Sequence, residues 1–310
     1  AERFTPFIFY TPIRKANMLS PLKRMFISEE KSKMPKKDVI GVAFGSGAAR
    51  GWSHIGVINA LNELGIKPEV VTGTSIGSVA AAIYATGTVK QVEDYARNLN
   101  PLEAASLLME IRMPTTWNPI NAFKEFNGLL KGKRAMEVIS KFVPDVNIEN
   151  LSTKFGAVAT DLYSEQAVEF TSGNIRTAIR ASISIPGIFT PVEYGNQLLV
   201  DGMLADPLPI ALAHKLGATR VIGINITPNV CETSRSQKGN SPNIFGVLDR
   251  AWCLVEKQAI KASINKQEND IVIEPLSKNY SPLDFSKASE LIDTGYRATM
   301  DALANSNFRI

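Results

Sequence analysis

Between Val39 and Tyr84 the chain twice passes from a short apolar run, through a glycine-bearing turn, into a helical pattern. The first pass is Val39-Ile40-Gly41-Val42-Ala43-Phe44, then the turn Gly45 to Gly51, then Ile55, Ile58, Leu61 and Leu64 at helical spacing, with Gly65 as the C-terminal cap. The second is Pro68 to Thr72, the turn Gly73 to Gly77, and a helix opened by Val79-Ala80-Ala81-Ala82-Ile83-Tyr84. Strands without polar alternation are those buried on both faces, and strand–turn–helix repetition predicts a mostly parallel α/β sheet with right-handed crossovers. Further strands are expected at 155–160, 167–171, 198–200, 221–226 and 270–274. Helices are expected through much of 90–150, at 209–216, at 247–262 and at 286–303. The strand and helices of 244–310 are expected to complete the same sheet, and 228–243 reads as a polar loop.

The second turn, Gly73-Thr74-Ser75-Ile76-Gly77, has the form G-x-S-x-G between a strand and a helix. In that context a serine sits on a tight, strained turn, its hydroxyl presented at the carboxyl edge of the sheet, while flanking glycines let strand and helix close together. Ser75 is therefore the expected nucleophile, with Gly73 and Gly77 forming the elbow. The first turn, Gly45-Ser46-Gly47-Ala48-Ala49-Arg50-Gly51, exposes backbone N–H groups at a helix N-terminus, a setting that suits a phosphate or the oxyanion of an acyl intermediate. Arg50 occupies the sixth place of a G-x-G-x-x-G pattern, which argues against a dinucleotide site, and no Gly-Lys-Ser/Thr follows to make a P-loop.

A serine needs a base. The chain has two histidines, His54 and His214. The order Ser75, Asp201, His214 imitates a hydrolase triad, but His214 falls in a helical stretch leading to a strand and reads as a packing or surface residue. His54, just past the Gly-rich turn, reads as packing, with orientation of that loop as its other role. Asp201 follows the apolar run Leu198-Leu199-Val200 and precedes Gly202, which brings its carboxylate to the same sheet edge as Ser75. With no suitable histidine, Asp201 becomes the expected general base.

Taken in order, the Gly-rich loop with Arg50, the Gly73–Gly77 elbow, the block Ala181–Pro191 and the Asp201-Gly202 pair resemble the patatin-like phospholipases, most closely the short single-domain bacterial members. The resemblance covers residues 38–228 and extends more weakly beyond. It implies a three-layer α/β/α fold and a Ser75–Asp201 dyad that hydrolyses fatty-acyl esters of phospholipids or lysophospholipids. Gly45, Ser46, Gly47 and Arg50 match the oxyanion loop, and neither a cofactor nor a metal is implied. Two departures stand out: Ser46 replaces the middle glycine of a common three-glycine run, and Met203 stands where glycine or alanine is usual. The alternative is a lipid-binding or regulatory module with a vestigial site. Leu107, Leu108, Met109, Ile111, Met113, Trp117 and Phe123 read equally as an acyl groove or as ordinary core.

The net charge of +4 is unevenly spread. Residues 1–38 hold nine basic against four acidic side chains, a surplus of +5, whereas 39–310 holds 25 against 26, or −1. The first segment reads as an N-terminal arm, aromatic at Phe4, Phe7, Phe9 and Tyr10 and interrupted by prolines; 39–310 reads as the catalytic domain, with its motif-bearing core in 39–228. A neutral fold argues against a nucleic-acid partner. The basic arm fits either peripheral contact with an anionic membrane or simple packing. The uncharged window Val70–Val89 contains three glycines, four threonines and two serines and reads as strand–turn–helix rather than a membrane span. No apolar leader of secretory type is visible, so the expected location is the cytoplasm, peripheral to a membrane. Cys231 and Cys253 read as buried free thiols.

Overall fold

The first apolar run becomes strand β1 (Ile40–Phe44), buried at every residue because helices cover both faces of the sheet it joins. The structure is a computed structural model and describes residues 38–100, 103–104, 130–227, 244–263, 270–276, 280–282 and 284–306. After β1 come a 3-10 turn (Ala48–Gly51), helix α1 (Trp52–Glu63), β2 (Val70–Thr74), α2 (Ile76–Ala85) and α3 (Val89–Arg97). Next are α4 (Lys133–Ser140), the long strand β3 (Lys154–Asp161), β4 (Gln166–Phe170), α5 (Ile175–Ser182), β5 (Val192–Tyr194) and β6 (Gln197–Asp201). A 3-10 turn (Gly202–Leu204) leads to α6 (Ile210–Lys215), β7 (Arg220–Ile224), α7 (Ile244–Ser263), β8 (Ile271–Ile273) and α8 (Ala288–Ala304).

The strands form one sheet in the order β5-β6-β3-β2-β1-β7-β8, with β4 also bonded to β3. Pairs β1–β2, β2–β3, β1–β7 and β7–β8 are parallel. The β3–β4, β3–β6 and β5–β6 pairs are antiparallel. Successive residues of β1 face opposite layers. Val42 and Phe44 join the larger core with α1, α2, α5 and α8, while Ala43 joins a smaller one with Ile210 and Ala213 of α6 and Ile260 of α7. This is the expected three-layer α/β/α arrangement.

The uncharged window Val70–Val89 is β2, a turn and α2, ending on the first residue of α3. Among the described residues no helix is long and apolar enough to cross a membrane. Gly65 follows α1 with φ of 72°, the left-handed cap expected of it. Two elements were not singled out in the sequence: β5, three residues long, and α5, whose N-cap Asn174 accepts a hydrogen bond from the N–H of Thr177 at 3.1 Å. One expectation is corrected. Cys253 is disulfide-bonded rather than a free thiol, and its partner lies outside the described residues. The basic arm, the candidate groove residues 107–123 and the polar loop also lie outside them.

Candidate active site

The elbow takes the strained form its sequence requires. Ser75 has φ of 55° and ψ of −126°, a conformation unfavourable for any residue with a side chain. Glycines surround it for steric reasons. A Cβ at Gly73 would press into the Gly77 carbonyl, and one at Gly77 into the Phe44 carbonyl of β1. The turn is pinned from below: the N–H of Ser75 donates to Ser182 Oγ at 2.9 Å, and that hydroxyl donates to the Val158 carbonyl of β3 at 2.6 Å. Ser182 belongs to the Ala181–Pro191 block noted in the sequence, but nothing local marked this role.

Asp201 ends β6, opposite Ala159 of β3. Its N–H donates to the Ser184 carbonyl at 2.9 Å, and its own carbonyl accepts from Thr160 Oγ1 at 2.9 Å. With the backbone so held, the carboxylate accepts from Ser75 Oγ at 2.6 Å on one oxygen and from the N–H of Met203 at 2.9 Å on the other. Both side chains are buried, Asp201 completely and Ser75 to 4% exposure. Burial pushes the Asp201 carboxyl up to about 7; the bonds from Ser75 and Met203 oppose this, and the charge of Glu256 adds to it. Met203, the bulky departure, thus meets the aspartate through its backbone and leaves it within reach of Ser75.

The Gly-rich loop lies beside this pair. Its N–H groups are mostly engaged: Gly45 donates to Ile224, Ser46 to Pro207, Ala49 to Pro282 and Arg50 to Gly47. Among the described residues the N–H groups of Gly47 and Ala48 have no partner, and Ala48 holds φ of 50°. Gly45 and Ser46, matched by sequence to an oxyanion loop, therefore use their N–H groups to fix the loop. Arg50 is buried, and its Nε donates to the Gly47 carbonyl at 3.0 Å. His54 takes the orienting role as well as packing. Its Nε2 donates to the Gly45 carbonyl at 2.9 Å and its ring meets Phe44 edge-on. Complete burial lowers His54 to about 4, so the ring is neutral with Nδ1 bare. Ser46 Oγ donates to the buried carboxylate of Glu256 on α7, a residue the sequence gave no reason to pick.

His214 stands apart. Its Nδ1 bonds the Ala218 carbonyl and its Nε2 bonds Asp270, each at 2.8 Å, so no Ser75–Asp201–His214 triad is assembled. An apolar cavity of about 180 Å³ opens at Ser75 and runs between α2 and α4. Ile76, Val79, Ala80 and Ile83 form one wall and Ala135, Val138 and Ile139 the other; Val92, Tyr95 and Phe142 also line it. Among the described residues no three His, Cys, Asp or Glu side chains converge to hold a metal ion. Chemically, the arrangement offers a hydroxyl on a carboxylate, two unpartnered N–H groups beside it and an apolar channel.

A family model described as patatin-like phospholipase matches residues 42–214. An uncharacterized NTE family protein of Mycobacterium tuberculosis is 34% identical over 202 residues, covering 65% of this chain and 52% of that protein. Lysophospholipase NTE1 of Kluyveromyces lactis is 27% identical over 314 residues, 95% of this chain and 21% of that protein. The chain thus spans about half the length of the mycobacterial relative and about a fifth of the yeast one. Among solved structures, VipD from Legionella pneumophila aligns over 87% of this chain and 67% of its own, at 15% identity and a TM-score of 0.44.

Proposed function

The chain belongs to the patatin-like phospholipase family, and on that premise we propose that it is a serine acyl hydrolase cleaving fatty-acyl esters of phospholipids or lysophospholipids. The observation that carries this reading is the 2.6 Å hydrogen bond to a fully buried Asp201 from the Oγ of Ser75, which lines an apolar cavity. In the proposed reaction Ser75 Oγ attacks the ester carbonyl and its proton passes to Asp201. The resulting oxyanion faces the N–H groups of Gly47 and Ala48, donors fixed before the substrate arrives and each worth about 3 kcal/mol of barrier. Collapse breaks the bond to the alcohol, which takes the proton from Asp201. Water then gives a proton to Asp201 and attacks the acyl–serine ester; collapse releases the fatty acid as Ser75 Oγ takes that proton back from Asp201.

The strained elbow serves this chemistry by holding the hydroxyl on the carboxylate in one geometry. His54, Arg50 and Ser46 act on the loop and not on the substrate. The apolar channel accepts the acyl chain, and burying each methylene there contributes about 0.8 kcal/mol. Residues 1–38 are proposed as the contact with an anionic membrane surface. A panel of purified phospholipids and lysophospholipids, assayed for fatty-acid release, tests the reading. Release is expected from the wild type and not from Ser75→Ala; a wild type inert on every lipid while it binds vesicles contradicts it.

A further inference from the structure

Glu256 is a buried carboxylate for which the proposed hydrolysis has no use. It sits on α7, beyond the residues matched by the family model, yet it is only 2% exposed and accepts from Ser46 Oγ. The same helix packs on the 3-10 turn Gly202–Leu204 that follows Asp201. Burying a carboxylate is costly unless it is hydrogen-bonded. Ser46, the residue that breaks the common three-glycine run, supplies the donor that a glycine lacks. The Ser46 hydroxyl and Glu256 therefore account for each other.

We infer that Glu256 is a positioning residue for the reaction, clamping the Gly-rich loop to α7 through Ser46 and setting a negative charge beside Asp201. The inference rests on the Ser75–Asp201 reading. Among the described residues the loop is also braced by backbone bonds, by the His54 and Arg50 contacts and by Ser46 Oγ against the Pro207 carbonyl, and the Ser46–Glu256 bond ties it to α7. Other charged groups sit on the elements around Asp201. Asp161 at the end of β3 accepts from the N–H groups of Tyr163, Ser164 and Leu198. Arg180 on α5 donates to Ser184 and Thr190. Asp206 lies beyond the 3-10 turn, and burial pushes its carboxyl up to about 6. Neutral His54 faces the loop, as does Arg50. Among these neighbours it is the charge of Glu256 that further raises the Asp201 carboxyl.

Glu256→Gln separates the two effects, because the amide oxygen still accepts from Ser46 while the charge is gone. In that variant the acid limb of kcat/KM should move down by about half a pH unit, so that the ratio of activity at pH 6 to that at pH 8.5 rises about threefold. Glu256→Ala and Ser46→Ala should each lower kcat about tenfold with little change in KM, and the double variant should lose no more than the worse single one. A Glu256→Gln profile that overlays the wild type, or fully additive losses in the double variant, overturns the inference. Thermal melts identify any variant that fails to fold, and Glu256→Gln keeps the test open if the alanine does. Ser75→Ala runs in the same assay. Should it retain activity, the Ser75–Asp201 reading fails instead, and that result is distinct from either outcome at Glu256.

Discussion

A carboxyl that titrates near 7 is both an advantage and a cost. In the proposed reaction Asp201 must be ionised to take the Ser75 proton, so kcat/KM should rise with pH through about 7. Stability runs the other way. Between pH about 4 and 7 the folded chain keeps a proton on Asp201 that the unfolded chain has released, so stability falls as pH rises through that window. His54 has the opposite sign: it stays neutral when folded down to about 4, while the unfolded chain gains a proton below 6.5, so stability falls with falling pH between those values. Asp201→Asn removes the buried charge. It should abolish activity and raise stability at pH 8 by about 4 kcal/mol relative to wild type, with the gain vanishing near pH 4, as read by denaturant unfolding at both pH values. An equal gain at both pH values contradicts the assigned titration. The meeting of Ser75 and Asp201 was legible because Ser75 directly follows β2 and Asp201 ends β6, each within two residues of a glycine, and that local pattern marks the sheet edge. Glu256 was not, because its partner lies 210 residues away and a glutamate within an amphipathic helix ordinarily faces water.

Along α2, Ser75, Ile76, Val79, Ala80 and Ile83 share one face, and that face is a wall of the cavity. At about 1.5 Å rise per residue, Ile83 lies about 12 Å along the axis from Ser75. A larger side chain at Ile83 should therefore block long acyl chains and spare short ones. Ile83→Trp is expected to lower kcat/KM for a sixteen-carbon nitrophenyl ester about tenfold, with the four-carbon ester changed less than about twofold. Parallel losses on both esters would show that the chain lies elsewhere. The elements legible in the sequence were those with a strong period or an unbroken apolar run, such as β1, β2, α1 and α2. β5 has only three residues, too few to display alternation. α5 is only eight residues long, so its apolar positions Ile175, Ala178 and Ile179 span barely two turns before the Ser- and Pro-rich block begins. The antiparallel insertion of β4, β5 and β6 beside β3 depends on long-range pairing that no local window records.

For the molecule as a whole, the charge split carries the clearest expectation. The fold is −1 and residues 1–38 are +5, so attraction to an anionic bilayer should reside in the arm. Removing residues 1–37 should lower binding to phosphatidylserine vesicles at low salt, and the difference should shrink by about 0.5 M salt, where exposed charges are screened. Unchanged sedimentation with vesicles at low salt assigns the attraction elsewhere. The hydrolytic core is expected to keep its activity on short soluble esters without the arm, since Ser75, Asp201, Gly47, Ala48 and Glu256 all lie beyond it. The mostly parallel sheet was readable from repeated strand–turn–helix units, while the three-layer order was implied by the family resemblance. The return of α7 to the Gly-rich loop was not readable, because the sequence marks where α7 runs but not the face it turns inward.

The most direct measurement is labelling by a fluorophosphonate, read alongside hydrolysis of a short nitrophenyl ester, in wild type, Ser75→Ala and His214→Ala. The wild type and His214→Ala should be labelled and active, and Ser75→Ala should be neither. Full activity in Ser75→Ala, or its loss in folded His214→Ala, would contradict a reaction carried by Ser75 and Asp201.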